Sequence, residues 1–180
     1  MIFYNHPHFI IRSFAGKYPI MKSRSYSNAL LFALFGIALG FFGILYEGVV
    51  VAPKMLNTSM ERIFFWRGFY SVISPIIYYT PINQLATITM IVLYFKTTKQ
   101  DTVIKKQLDI ACIFQLMSFV ITFYIVTQLN LKGAFNNPNI DVNEIHSKAI
   151  ILNVLSVIRI AMVAVALISV FKAYIRKQIN

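Results

Sequence analysis

Two ionisable side chains lie inside long apolar stretches of this chain, and their types suit the binding of a polar group. Glu47 lies near the end of an apolar run that begins at Ala29, and Arg159 lies in the last apolar run. Arginine binds carboxylate or phenolate oxygens, and a partly desolvated glutamate can accept a proton. A charge in hydrocarbon is costly, so such residues normally face a protein interior. The two are therefore candidates for one polar site.

The composition predicts that this site lies within a membrane. The chain has 180 residues, of which 58% are hydrophobic and 13% charged, and this is too apolar for an ordinary soluble domain. Four apolar runs reach the roughly 20 residues that a helix needs to cross a bilayer, namely 29–52, 72–95, 110–129 and 149–171. We expect an all-α integral membrane four-helix bundle over 29–172. In the chain it is preceded by a basic segment, 1–28, and followed by another, 173–180.

The distribution of basic residues predicts how the helices are oriented. Eleven Lys and Arg residues lie in the two terminal segments and the middle loop, against five in the other two loops. This asymmetry places both termini on the cytoplasmic side of a bacterial plasma membrane or, alternatively, on the inner side of a mitochondrial inner membrane. The net charge of +11 also suits nucleic acid, but basic residues beside apolar spans are attracted by anionic lipid headgroups. We predict the bilayer as a partner and no nucleic acid.

Small and polar residues share one face of each apolar run. Gly36, Gly40, Gly43 and Glu47 form a stripe about 60° wide on a helix that advances 100° per residue. Small residues at this spacing allow two helices to approach closely in lipid, so we predict a helix-packing face. Comparable stripes on the other three runs are Thr80, Asn83, Thr87 and Tyr94; Cys112, Gln115, Ser118 and Thr122; and Ser156, Arg159, Val163 and Ala166. Turning all four stripes inward gives a bundle.

The depths of the two charged residues allow them to meet. Glu47 lies roughly 8 Å below the outer edge of its run, and Arg159 lies roughly 15 Å below the same edge. An arginine side chain can cover that difference by extending toward the interface. We predict that the two face one interior, directly paired or joined through water, with Asn83 and Gln84 as further ligand-binding residues at similar depth. An alternative is that the pair only locks the bundle.

The first outward loop carries the signature of a short amphipathic helix at the interface. Thr58 followed by Glu61 is a capping box, which typically marks a helix start. Trp66, Arg67 and Tyr70 then supply aromatic and basic side chains suited to the membrane interface.

Motifs of known catalytic or cofactor chemistry do not occur in the sequence. It contains no phosphate-binding glycine loop, no GxSxG, no HExxH and only one cysteine. Three His and six acidic residues also offer little material for metal ligation. We therefore expect no cofactor and no metal site, and we assign no catalytic residue.

Several of these residues resemble features of the anthrone-oxygenase-like family of small four-span membrane proteins. The features are Pro53 at the end of the first span, Trp66 and Tyr70 before a proline-bearing second span, and Arg159 in the last span. The resemblance covers most of residues 35–172. It implies a membrane bundle and, in a few family members, cofactor-independent oxygenation of a polyphenolic substrate. Most members have no assigned activity, and no catalytic residue carries over to this chain.

Three classes of function remain open at this point. The first is the binding or transformation of a small lipid-soluble or aromatic molecule in a polar intramembrane cavity near Glu47 and Arg159. The alternative is a structural or assembly subunit, with a membrane-protein partner or a second copy of the chain. A small transporter, with a polar path through Gln115 and Thr122, ranks third.

Overall fold

The computed structural model describes residues 23–57, 59, 61, 64–65, 68, 76–97, 101–129 and 142–179. These residues form helices and turns, and no strand occurs among them, which confirms the all-α fold class. The four long helices are α1 Ser23–Tyr46, α2 Ile76–Lys96, α3 Thr102–Tyr124 and α4 Val142–Ile179.

Two of these helices continue into π-helical segments. α1 passes into Glu47–Val51 and then into a short α-helical turn, Ala52–Lys54, while α3 passes into Ile125–Leu129. Among the described residues, three helices are long and apolar enough to cross a membrane: Arg24–Lys54, Thr102–Leu129 and Val142–Ile179. They extend beyond the predicted runs because backbone hydrogen bonding continues where the sequence becomes polar. An apolar run marks a length of hydrocarbon rather than the ends of a helix.

The packing of the helices gives the molecule its interior. α1 lies against both α2 and α4, and α3 lies against α4. α2 and α3 also touch, but they pack less closely than the other three pairs. The four helices therefore surround a common space, with a looser contact between α2 and α3.

An apolar core fills one end of this space. Its fully buried members come from all four helices and include Leu30, Ile37, Met90, Leu108 and Val170. A smaller apolar cluster lies at the opposite end, where the π-helical segments are. The outer surface is apolar as well, with Phe35, Phe95 and Val120 each more than 60% exposed. Helices that are apolar on all sides are typical of membrane spans.

The predicted glycine face lies directly against α2. A Cβ added at residue 36 would overlap the Cβ of Ala86, and one added at residue 40 would lie 2.5 Å from the Asn83 side chain. At residue 43 it would lie 2.5 Å from the ring of Tyr79. Because these three positions of α1 have no side chain, the polar face of α2 lies close to the α1 backbone.

The predicted interfacial helix is only partly described. Glu61, Phe64, Phe65 and Gly68 have helical backbone, and the side chains of Phe64 and Phe65 are more than half exposed. The predicted interfacial residues Trp66, Arg67 and Tyr70 lie outside the described residues.

Replacing Gly36 by Ala tests the close packing of α1 on α2. The new methyl group would collide with the Cβ of Ala86 and press on the carbonyl of Ile82. We expect the free energy of unfolding to fall by about 1–3 kcal/mol, as overpacking usually does. Denaturant titration of the protein in detergent, followed by circular dichroism, measures the change.

The matched control is Gly68→Ala, because a Cβ at residue 68 meets nothing within 4 Å. Adding Ala86→Gly to Gly36→Ala removes the colliding methyl group and should restore most of the lost stability. Equal stability of Gly36→Ala and the wild type would mean that the two helices are farther apart than described.

Candidate functional site

The two charged residues inside the apolar runs meet in the interior of the bundle. Glu47 is the first residue of its π-helical segment, and its Oε2 lies 3.5 Å from Nη2 of Arg159 on α4. The Arg159 side chain is 3% exposed and that of Glu47 is 18% exposed. Charge-assisted hydrogen bonds are usually about 2.7–2.9 Å long, so this contact is loose. Arg159 therefore keeps hydrogen-bonding capacity for another partner.

Tyr79 of α2 is the third member of this site. Its ring covers Gly43, and its buried hydroxyl is close enough to Glu47 and Arg159 to interact with both electrostatically. Within the described residues, however, the hydroxyl makes no hydrogen bond of standard geometry. Tyr79 was not among the site residues predicted from the sequence. Its position four residues before Asn83, on the same face of one helix, is a signal that would have included it.

Asn83 and Gln115 connect α2 to α3 beside the charged pair. Gln115 Nε2 donates a hydrogen bond to Asn83 Oδ1 at 3.0 Å, and the Thr87 hydroxyl donates to the Asn83 carbonyl at 2.8 Å. Asn83 also fills the space over Gly40. Gln115 is 3% exposed, and its Oε1 has no partner within the described residues. One amide pair thus joins three helices at the level of the site.

The end of the first helix is fixed by a side chain that sequence reasoning did not select. Asn153 of α4 donates a hydrogen bond of 2.8 Å to the carbonyl of Ala52, immediately after the π-helical segment. The same carbonyl also accepts the backbone N–H of Met55 at 3.1 Å, so a side chain and the backbone together hold this helix end. π-helical turns are frequent at functional sites. Here one such turn begins at the carboxylate that faces Arg159.

A cavity of about 340 Å³ lies between α2 and α3 and reaches inward to Arg159. Its polar lining includes Tyr79, Asn83, Gln84, Gln115, Ser118 and Arg159. Its apolar lining includes Ile44, Ile88, Ile91, Leu116 and Phe119. Three of the four predicted ligand-binding residues therefore line the cavity. Glu47 does not line it and contacts Arg159 instead.

The residues with unused hydrogen-bonding atoms are concentrated around this cavity. Across the described residues, three buried side-chain atoms have no hydrogen-bond partner: Tyr79 Oη, Gln115 Oε1 and Arg159 Nε. All three residues line the cavity. Buried polar groups in native proteins are nearly always partnered, and leaving one unpaired costs about 1–3 kcal/mol. The residues around the cavity therefore have unused hydrogen-bonding capacity for a polar group.

No family model, no curated protein and no solved structure matches this chain. The resemblance to the anthrone-oxygenase-like family stays a prediction. Within the part of the chain that is described, no three His, Cys, Asp or Glu side chains are grouped so that they could hold a metal ion.

A double-mutant cycle tests the coupling between Glu47 and Arg159. Removing one charge of a buried pair typically costs about 3–5 kcal/mol because the other charge is left uncompensated. We expect Glu47→Gln and Arg159→Met each to destabilise the protein, and the double variant to be more stable than the sum of the two effects predicts. Denaturant titration in detergent gives the three changes in unfolding free energy.

The matched control is the exposed pair Glu144 and Lys148, whose charged atoms are 2.6 Å apart. The same cycle there should give a coupling of about 0.5 kcal/mol or less. Strict additivity for Glu47 and Arg159 would show that they do not interact. A Glu47→Gln variant that folds normally but no longer binds ligand would assign the carboxylate to binding rather than to locking the bundle.

Proposed function

We propose that this chain is a membrane-spanning four-helix bundle that binds a small lipid-soluble molecule in the cavity between α2 and α3. The observation that carries the proposal is the concentration of unpartnered buried polar atoms on the cavity floor. The cavity volume falls within the roughly 300–1,000 Å³ that is usual for small-molecule sites. An apolar lining with a few convergent polar groups is also typical of such sites.

Three apolar helices support the membrane setting, and α2 is proposed as the fourth span. Its 21 residues correspond to a length of about 30 Å, which matches the hydrocarbon thickness of a bilayer. α2 carries a single charged residue, Lys96, which lies in its last turn. The proposed orientation keeps both termini on the inner side, following the distribution of basic residues.

The distribution of apolar residues favours binding over transport. Beyond the cavity, toward the proposed inner side, the space between the helices is filled by buried side chains that include Leu93, Ile104 and Leu108. A transporter needs a polar or open path at both ends. A cavity closed at one end and open between two helices fits a molecule that enters from the side.

Blocking the cavity mouth tests the binding function. Leu116 lines the cavity and is 47% exposed, so Leu116→Trp should fill the opening without disturbing the core. We expect 2-decanone, a neutral amphiphile, to bind the wild-type protein and to lose at least about tenfold in affinity in the variant. Isothermal titration calorimetry in detergent, with the heat of partitioning into protein-free micelles subtracted, gives both affinities.

The matched control is Ile168→Trp on α4, since Ile168 is 53% exposed and is not part of the cavity lining. It should bind 2-decanone as the wild type does. Equal binding by Leu116→Trp and the wild type, or no binding by either, would reject the cavity as the binding site.

Cysteine labelling tests the proposed topology. Lys54 and Lys106 are both exposed, and the proposal places them on the outer and inner sides, respectively. In a Cys112→Ala background, a membrane-impermeant maleimide added to intact cells should label Lys54→Cys and not Lys106→Cys. Inside-out vesicles should give the reverse pattern. Labelling of both positions from one side would contradict the four-span topology.

A further inference from the structure

The cavity has a buried polar end and an exposed apolar end. Arg159 and Gln115 are each 3% exposed, whereas Ile88, Leu116 and Phe119 are 58%, 47% and 50% exposed. All five line the same space. A bound molecule therefore places a polar head against the buried floor and an apolar chain in the gap between α2 and α3.

The charges at the floor disfavour a charged head. Arg159 already faces the carboxylate of Glu47 at 3.5 Å. A ligand carboxylate at Arg159 would bring two carboxylates to one guanidinium, and a ligand ammonium would face the guanidinium itself. Like charges repel more strongly at low dielectric than in water. A neutral head avoids both repulsions and does not have to surrender an ion's hydration shell.

The unpartnered atoms at the floor determine which hydrogen bonds the head must make. Arg159 Nε offers an N–H and needs an acceptor, whereas Gln115 Oε1 is an acceptor and needs a donor. One of the two N–H groups of the Gln115 amide is already used, because it donates to Asn83. The Tyr79 hydroxyl can serve in either role. The head must therefore both accept and donate.

From these contacts we infer that the ligand is an uncharged amphiphile whose head group both donates and accepts hydrogen bonds, as a carboxamide does, at the end of an apolar chain. Arg159 binds the acceptor atom of the head, and Gln115 binds its donor. The inference rests on the proposed function, because it names the chemical class of the molecule that the cavity holds.

Four probes with the same ten-carbon chain test the inference: decanamide, 2-decanone, decanoate and decylammonium. Decanamide should bind the full-length protein in detergent about tenfold more tightly than 2-decanone, because the ketone cannot donate to Gln115. Decanoate and decylammonium should both bind more weakly than the ketone. The measurement is the same micelle-corrected calorimetry.

Replacing Gln115 by Met assigns the preference to one side chain. The tenfold advantage of decanamide over 2-decanone should disappear, because the new side chain offers no oxygen to accept the amide N–H. The matched control is Thr122→Val, because the Thr122 hydroxyl also lines the cavity but already donates to the Ser118 carbonyl at 2.8 Å. This control should keep the full preference.

Different outcomes separate this inference from the proposed function. Equal affinity for amide and ketone, or tightest binding of decanoate or decylammonium, would overturn the inference, and the function would stand if Leu116→Trp still blocked binding. Failure of all four probes to bind would reject both. The comparison of probes on the wild-type protein decides the question even if Gln115→Met does not fold.

Discussion

The organisation of the molecule depends on one constraint: a charge buried among apolar helices must find its partner within the protein. Glu47, at the end of the first long helix, and Arg159, in the middle of the last, satisfy it together. Their contact requires α1 and α4 to lie side by side, as they do. Because the contact is loose, it neutralises charge without using all the donors of the guanidinium.

Close approach between α1 and α2 supplies the other half of the arrangement. Gly36, Gly40 and Gly43 leave room for the side chains of α2, so that Tyr79 and Asn83 lie over the backbone of α1. From there Asn83 reaches Gln115 on α3, and Tyr79 reaches the charged pair. The glycines therefore do more than allow packing, since they bring the polar face of α2 to the same depth as the two charges.

Sequence alone was sufficient for features that follow from composition, from the length of an apolar run or from the depth of a residue along it. The all-α class and the long apolar helices follow from composition and run length, and the pairing of Glu47 with Arg159 follows from depth and the scarcity of charge. The cavity could not be predicted from the sequence, because its position depends on the distance between α2 and α3. The residue pattern on one helix does not determine that distance. Glu47 was predicted as a ligand-binding residue, but it contacts Arg159 and does not belong to the cavity lining. Tyr79 was not predicted, although it lies four residues before Asn83 on the same face of the helix.

The gap between α2 and α3 determines the route by which a ligand would enter the cavity. With the chain placed in a bilayer, a molecule reaching that gap diffuses laterally within one leaflet instead of crossing water. The occupancy of the cavity then depends on the mole fraction of the ligand in the lipid. A high partition coefficient of the ligand into the bilayer therefore raises the apparent affinity above a modest intrinsic affinity. A site of this kind needs few strong contacts. Selectivity among equally apolar compounds is then determined by the few polar atoms at its innermost point.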